Sequence, residues 1–128
     1  MGQMTVGILY GCEAPMMPDV DDEPGAYDLI CRWEVAKKIG WTTKGPKIHL
    51  EREGGVDLIG VWIAVGASGE DDAPSLKTAF LIHHAGDQYH KRYTQAEKLW
   101  NRFAAWTEKT DGLKLPLPKL WLTPAEVA

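Results

Sequence analysis

The spacing of apolar residues changes along the chain, and each change marks an element. Met4 to Tyr10 alternates, with Val6, Ile8 and Tyr10 on one side and Thr5, Gly7 and Leu9 on the other. That is the period of a β-strand. From Ala26 to Ile39 the period becomes helical: Ala26, Leu29, Ile30, Trp33 and Ala36 fall within about 120° of a helix circumference. Glu34 and Lys38 form an i,i+4 pair on the outer side, and Gly40 follows where a helix C-terminus favours it. Asp87 to Thr110 predicts a longer helix. Tyr89, Tyr93, Ala96, Leu99, Trp100, Phe103 and Trp106 recur at threes and fours, with Asp87 as N-cap and Gly112 as the stop.

Residues 47 to 66 predict a hairpin. Gly54-Gly55 can both take positive φ, so the chain reverses there. The register then sets Glu53 opposite Val56, Arg52 opposite Asp57, Leu50 opposite Ile59 and Ile48 opposite Val61. One face gathers Ile48, Leu50, Ile59, Val61, Ile63 and Val65; the other carries Lys47, His49, Glu51, Leu58, Gly60, Trp62 and Ala64. A slip of one residue would mix the two sets, so burial of the first fixes the pairing.

Between these elements, Gly11 to Gly25 reads as a loop whose acidic run, Asp19 to Glu23, ends in a helix cap at Asp22 or Glu23 before Pro24. Residues 66 to 75 read as loop, and Leu76 to Ile82 fits a helix or a strand equally well. Pro116 and Pro118 restrict any strand in the tail to a sheet edge or to a start after Pro118. The order strand, helix, hairpin, helix, strand resembles the βαββαβ order of a split-βαβ, ferredoxin-like sandwich. Residues 67 to 86 have no place in its minimal form. The broader expectation is an α+β fold: a small antiparallel sheet with two helices packed on one face.

A chain of 128 residues suits a single domain, 1–128, and is long enough for a core without disulfide or metal. With 14 Lys+Arg against 18 Asp+Glu, the formal charge is −4. This acidic balance argues against nucleic acid and against an anionic membrane as partners, unless a local basic patch overrules the net sign. Cys12 and Cys31 are the only cysteines, too few for a disulfide framework. The first twenty residues lack a basic start with an apolar run, so the expectation is a cytoplasmic protein with free thiols.

Catalytic and metal motifs fail on spacing. His49, His83, His84 and His90 show no zinc-ligand steps with Cys12 or Cys31. Asp19 to Glu23 lacks the alternation and central glycine of a calcium loop. Gly66-Ala67-Ser68-Gly69 fails as a nucleophile elbow because Glu70 occupies the last position, and as a phosphate loop because Glu70, Asp71 and Asp72 repel an anion. Cys12 beside Glu13 reads as an unreactive loop thiol, and Cys31 as a small buried one. No catalytic residue, metal or cofactor is expected.

Trp62 is the residue that the register singles out. It lies off the aliphatic face, near Lys47, His49 and Glu51, with Gly60 bare beside it. Such a ring can stack a planar ligand or anchor a partner protein; alternatively, Leu113 to Leu122 or another subunit covers it. The resulting expectation is a non-catalytic binding or protein-interaction domain, with a small inhibitor of phage or mobile-element type as a subclass. Two alternatives stay open: a small enzyme using His49 and Glu51 as acid and base, and a structural subunit of a homo-oligomer.

Overall fold

The computed structural model describes residues 3–53, 55–65 and 87–127. In chain order these form strand β1 (Gln3–Glu13), helix α1 (Gly25–Ala36), strands β2 (His49–Glu53) and β3 (Val56–Val65), helix α2 (Asp87–Asp111) and strand β4 (Lys119–Val127). The strands make one antiparallel sheet in the spatial order β2-β3-β1-β4. The fold is therefore small α+β, with both helices on one side of the sheet. Residues 67–86, the segment without a place in a minimal ferredoxin-like order, lie outside the described residues. So do His83, His84, the ambiguous stretch Leu76 to Ile82 and the loop Gly66 to Gly69.

The hairpin has the register that its two faces require: Glu53 opposite Val56, Arg52 opposite Asp57, Leu50 opposite Ile59. Gly55 takes φ 83 in the turn, a conformation that only glycine enters without a Cβ clash. Arg52 and Asp57 form an ion pair of 3.1 Å near the hairpin end. Ile59, Val61 and Ile63 are buried beneath the helices together with Ile8, Tyr10 and Cys12 of β1. Ile48, just before β2, joins the same core.

The helices close that core. α1 contributes Ala26, Leu29, Ile30 and Trp33; α2 contributes Ala96, Leu99, Trp100 and Phe103. Trp33 meets Phe103 and Trp106 edge-on, with ring centroids 5.4 and 5.5 Å apart. Arg32 links the two helices at the surface, donating to Asp28 on its own helix and to both carboxylate oxygens of Asp111 on α2.

Three local readings are corrected by the structure. β1 runs on to Glu13, so Cys12 is a buried strand residue rather than a loop thiol. Burial first, and the Glu13 charge second, push its pKa up to about 11. The acidic run does not cap α1: Pro24 is the N-cap, without a side-chain hydrogen bond. Instead Val20 and Glu23 exchange backbone hydrogen bonds of 2.9 Å, and Asp21 and Asp22 turn between them at φ 50 and 65. Aspartate tolerates that left-handed region better than most residues.

α1 also ends earlier than its spacing implies, at Ala36, with Lys38 in the left-handed position at φ 56. The Ile39 and Lys38 amides donate to the Glu34 and Val35 carbonyls, which closes the helix without waiting for Gly40. β4 starts directly after Pro118 and is an edge strand, a position that also tolerates Pro124.

Candidate functional site

Strand alternation sends Trp62 away from the helices, because its neighbours Val61 and Ile63 are in the core. Pairing across the sheet then builds two rows on the face that no described helix covers. His49, Gly60, Gly11 and Lys119 form one row, from β2 through β3 and β1 to β4. Trp62, Leu9 and Trp121 form the next. Two glycines thus lie side by side in the middle of the sheet, with Trp62 and Trp121 both diagonal to Gly11.

That glycine pair is a requirement of the backbone. A Cβ on Gly60 would lie 2.6 Å from the Tyr10 carbonyl oxygen and 2.8 Å from Leu9 Cγ. A Cβ on Gly11 would collide with the Ile59 carbonyl oxygen. The bare floor also leaves room for the indoles. Trp121 Nε1 donates to the Gly11 carbonyl at 2.9 Å, and the Trp62 indole N–H donates to the Glu51 carboxylate. Both rings are therefore pinned at one end while remaining part-exposed. Leu9 between them is fully buried and Leu58 nearly so, although they point away from the helical core.

The other residues singled out from sequence fall into two groups. His49 and Glu51 share the face with Trp62. Lys47 does not rim the ring: its ammonium donates to the carbonyls of Gly40 and Trp41, at 3.0 and 3.1 Å, and fastens the loop after α1. β4 extends the sheet beside β1 rather than lying across the Trp62 face. Trp121, which the sequence left unplaced, arrives on that face with it. Trp41, also unplaced, stands on the loop that Lys47 holds.

Burial acts on the two titratable groups in opposite senses. Loss of hydration raises the Glu51 pKa above the ordinary carboxylate range, and the Trp62 N–H offsets this only in part. His49 keeps an exposed side, but crowding by protein atoms and, second, the Lys47 charge lower its pKa. Both groups are biased towards their neutral forms.

The raised Glu51 pKa has a consequence for stability. The folded state holds this proton to higher pH than the unfolded state does. Its contribution is therefore present below the unfolded pKa and lost as pH rises through the folded one. His49 has the reverse sign: its contribution is complete above the unfolded imidazole pKa and lost as pH falls towards the folded one. Glu51→Gln keeps an acceptor for Trp62 but carries no charge. Its melting temperature is expected to exceed that of the wild type at neutral pH, with the gain shrinking as both are titrated towards acid. An equal or lower melting temperature at neutral pH would contradict the burial argument.

Among the described residues, no three His, Cys, Asp or Glu side chains gather closely enough to hold a metal ion. No described helix is long and apolar enough to cross a membrane. No protein-family model matches this sequence, and no curated protein and no solved structure matches it either.

Proposed function

We propose that the chain is a non-catalytic protein-binding domain that meets its partner with the sheet face that no described helix covers. One observation carries this reading: Trp62 and Trp121 are pinned over the Gly60–Gly11 floor by their N–H groups, yet keep ring surface exposed. Tryptophan contributes large area with few torsions to immobilise, and it is enriched among residues that dominate interface energies. A sheet floor holds both rings at fixed spacing, so little order remains to be imposed on binding. His49 and Lys119 at the two ends of the glycine row supply a polar rim.

The test is capture of proteins from the native host by immobilised wild-type chain and by Trp62→Ala, with circular dichroism confirming that the variant is folded. His49→Glu, a change at an exposed position, serves as a second variant that leaves the indoles in place. Loss of the captured partner by about tenfold or more, equivalent to about 1.4 kcal/mol, is expected for Trp62→Ala. Undiminished capture by both variants would remove this face from consideration. The alternative of an enzyme using His49 and Glu51 draws on their opposed pKa shifts; it requires Glu51→Gln to abolish a turnover, whereas the binding reading requires only that the variant still fold and bind.

A further inference from the structure

The charge of this chain is separated along α1. Residues 13 to 28 contain Glu13, Asp19, Asp21, Asp22, Glu23 and Asp28 and no lysine or arginine. Residues 35 to 50 contain Lys37, Lys38, Lys44 and Lys47 and no carboxylate. α1, of 12 residues, puts these two stretches about 18 Å apart along its axis. Each end also exposes a large apolar side chain: Met16 at the acidic end and Trp41, 93% exposed, at the basic end.

The Trp41 loop is not loosely held. The Gly40 amide donates to Thr43 Oγ1 at 2.8 Å, the Thr43 amide donates to the Gly40 carbonyl at 3.0 Å, and Lys47 donates to the Gly40 and Trp41 carbonyls. Four hydrogen bonds thus order a loop whose indole stands in water. An ordered, solvent-facing tryptophan has already lost much of the backbone entropy that binding would cost, which is the property of a docking anchor.

At the opposite end lies a groove of about 340 Å³ between the end of β1, the start of α1 and the β2–β3 turn. Its walls include Pro15, Met16, Met17 and Val56, and Glu13 and Asp19 stand among its lining carboxylates. Methionine walls adapt to the shape of an inserted ring. The remaining lining carboxylate, Asp57, is already paired with Arg52. The groove therefore joins apolar and acidic surface, whereas the Trp41 loop is an indole among exposed lysines.

We infer that the chain associates with itself head to tail: the Trp41 loop of one copy seats its indole in the groove of the next, with Lys38 and Lys44 facing Glu13 and Asp19. The two halves of this contact are different surfaces at opposite ends of one helix. Such a contact does not close on itself as a twofold dimer does, and it extends into a chain of copies or a ring. The surface is separate from the Trp62 face, so either assignment can fail without the other.

Sedimentation velocity over a range of protein concentrations, at low and at high salt, tests the inference. The mean mass of the wild type is expected to rise with concentration at low salt and to fall back at high salt, where the charges are screened. Trp41→Ala and Asp19→Lys change exposed side chains, and each should be monomeric throughout. Mixed in equal amounts, they should recover a twofold mass and no more, because one keeps its groove and the other its loop. A wild type that stays monomeric at every concentration would overturn the inference, as would variants that associate like the wild type. Binding of the wild type to anionic phosphatidylserine vesicles without any gain in its own mass would overturn it in favour of a lipid surface.

Discussion

Gly11→Ala is expected to lower the unfolding free energy by about 3 kcal/mol or more, at or beyond the upper range for overpacked substitutions. The new methyl would meet the Ile59 carbonyl oxygen and the Gly60 Cα, both backbone atoms of the neighbouring strand. A flexible side chain could rotate aside; a hydrogen-bonded ladder cannot. Relief requires β1 and β3 to separate where Gly11 opposes Gly60, in the centre of a four-stranded sheet. Against a typical domain stability of about 5–15 kcal/mol, a loss of that size populates the unfolded state near physiological temperature. It also displaces the carbonyl that accepts the Trp121 N–H, so the proposed binding face should degrade before the fold does. Gly40→Ala is the control: its nearest contact would be Thr43 Oγ1 at 3.9 Å, and it should stay within about 0.5 kcal/mol of wild type. Urea unfolding followed by tryptophan fluorescence measures both. A Gly11→Ala midpoint indistinguishable from that of Gly40→Ala would refute the close-approach argument.

The same glycine shows what the sequence could and could not reveal. The hairpin was legible because adjacent glycines mark its turn and because a one-residue slip would bury Glu51 and expose Ile59. α2 is legible because seven apolar or aromatic residues repeat on one side over about five turns, a length at which chance patterns fade. The alternation predicts β1 three residues short: Gly11 interrupts it, and only the neighbouring backbone explains why glycine must stand there. The acidic run predicts a cap because carboxylates suit helix N-termini generally. The alternative, Asp21 and Asp22 in left-handed conformation between two bridged residues, leaves no spacing signal.

For the site, period-two alternation is enough to send Trp62, with His49 and Glu51, to the face that no described helix covers. Trp121 could not be placed, since its position follows from β4 pairing with β1, and Pro116, Pro118 and Pro124 obscure a strand pattern in that tail. Lys47 is the instructive case. Extrapolating the strand puts it opposite Trp62, but β2 starts only at His49, and the carbonyls of Gly40 and Trp41 offer its ammonium nearer partners. A side chain just outside a strand does not inherit the face that the strand would assign it.

Trp33→Ala is the second large effect expected, about 3–5 kcal/mol, as for removal of a fully buried large aromatic. Trp33 is 1% exposed and joins α1 to α2 through edge contacts with Phe103 and Trp106. Deleting it opens a cavity between helices that otherwise meet chiefly through this ring and the exposed Arg32–Asp111 pair. The latter has little capacity to compensate, because its side chains are 43% and 26% exposed and surface pairs contribute about 0–1 kcal/mol. Trp33→Phe should behave quite differently. Among the described residues, the buried Trp33 Nε1 proton meets no hydrogen-bond acceptor, a condition that costs about 1–3 kcal/mol in general. Phenylalanine removes that donor while keeping most of the edge contact with Phe103. Loss of volume and relief of the unpaired N–H then act against each other, and a net cost of about 1 kcal/mol or less is expected. Equilibrium unfolding of the two variants separates the terms: a phenylalanine variant as unstable as the alanine one would show that the indole N–H carries no penalty and that ring volume alone holds α1 to α2.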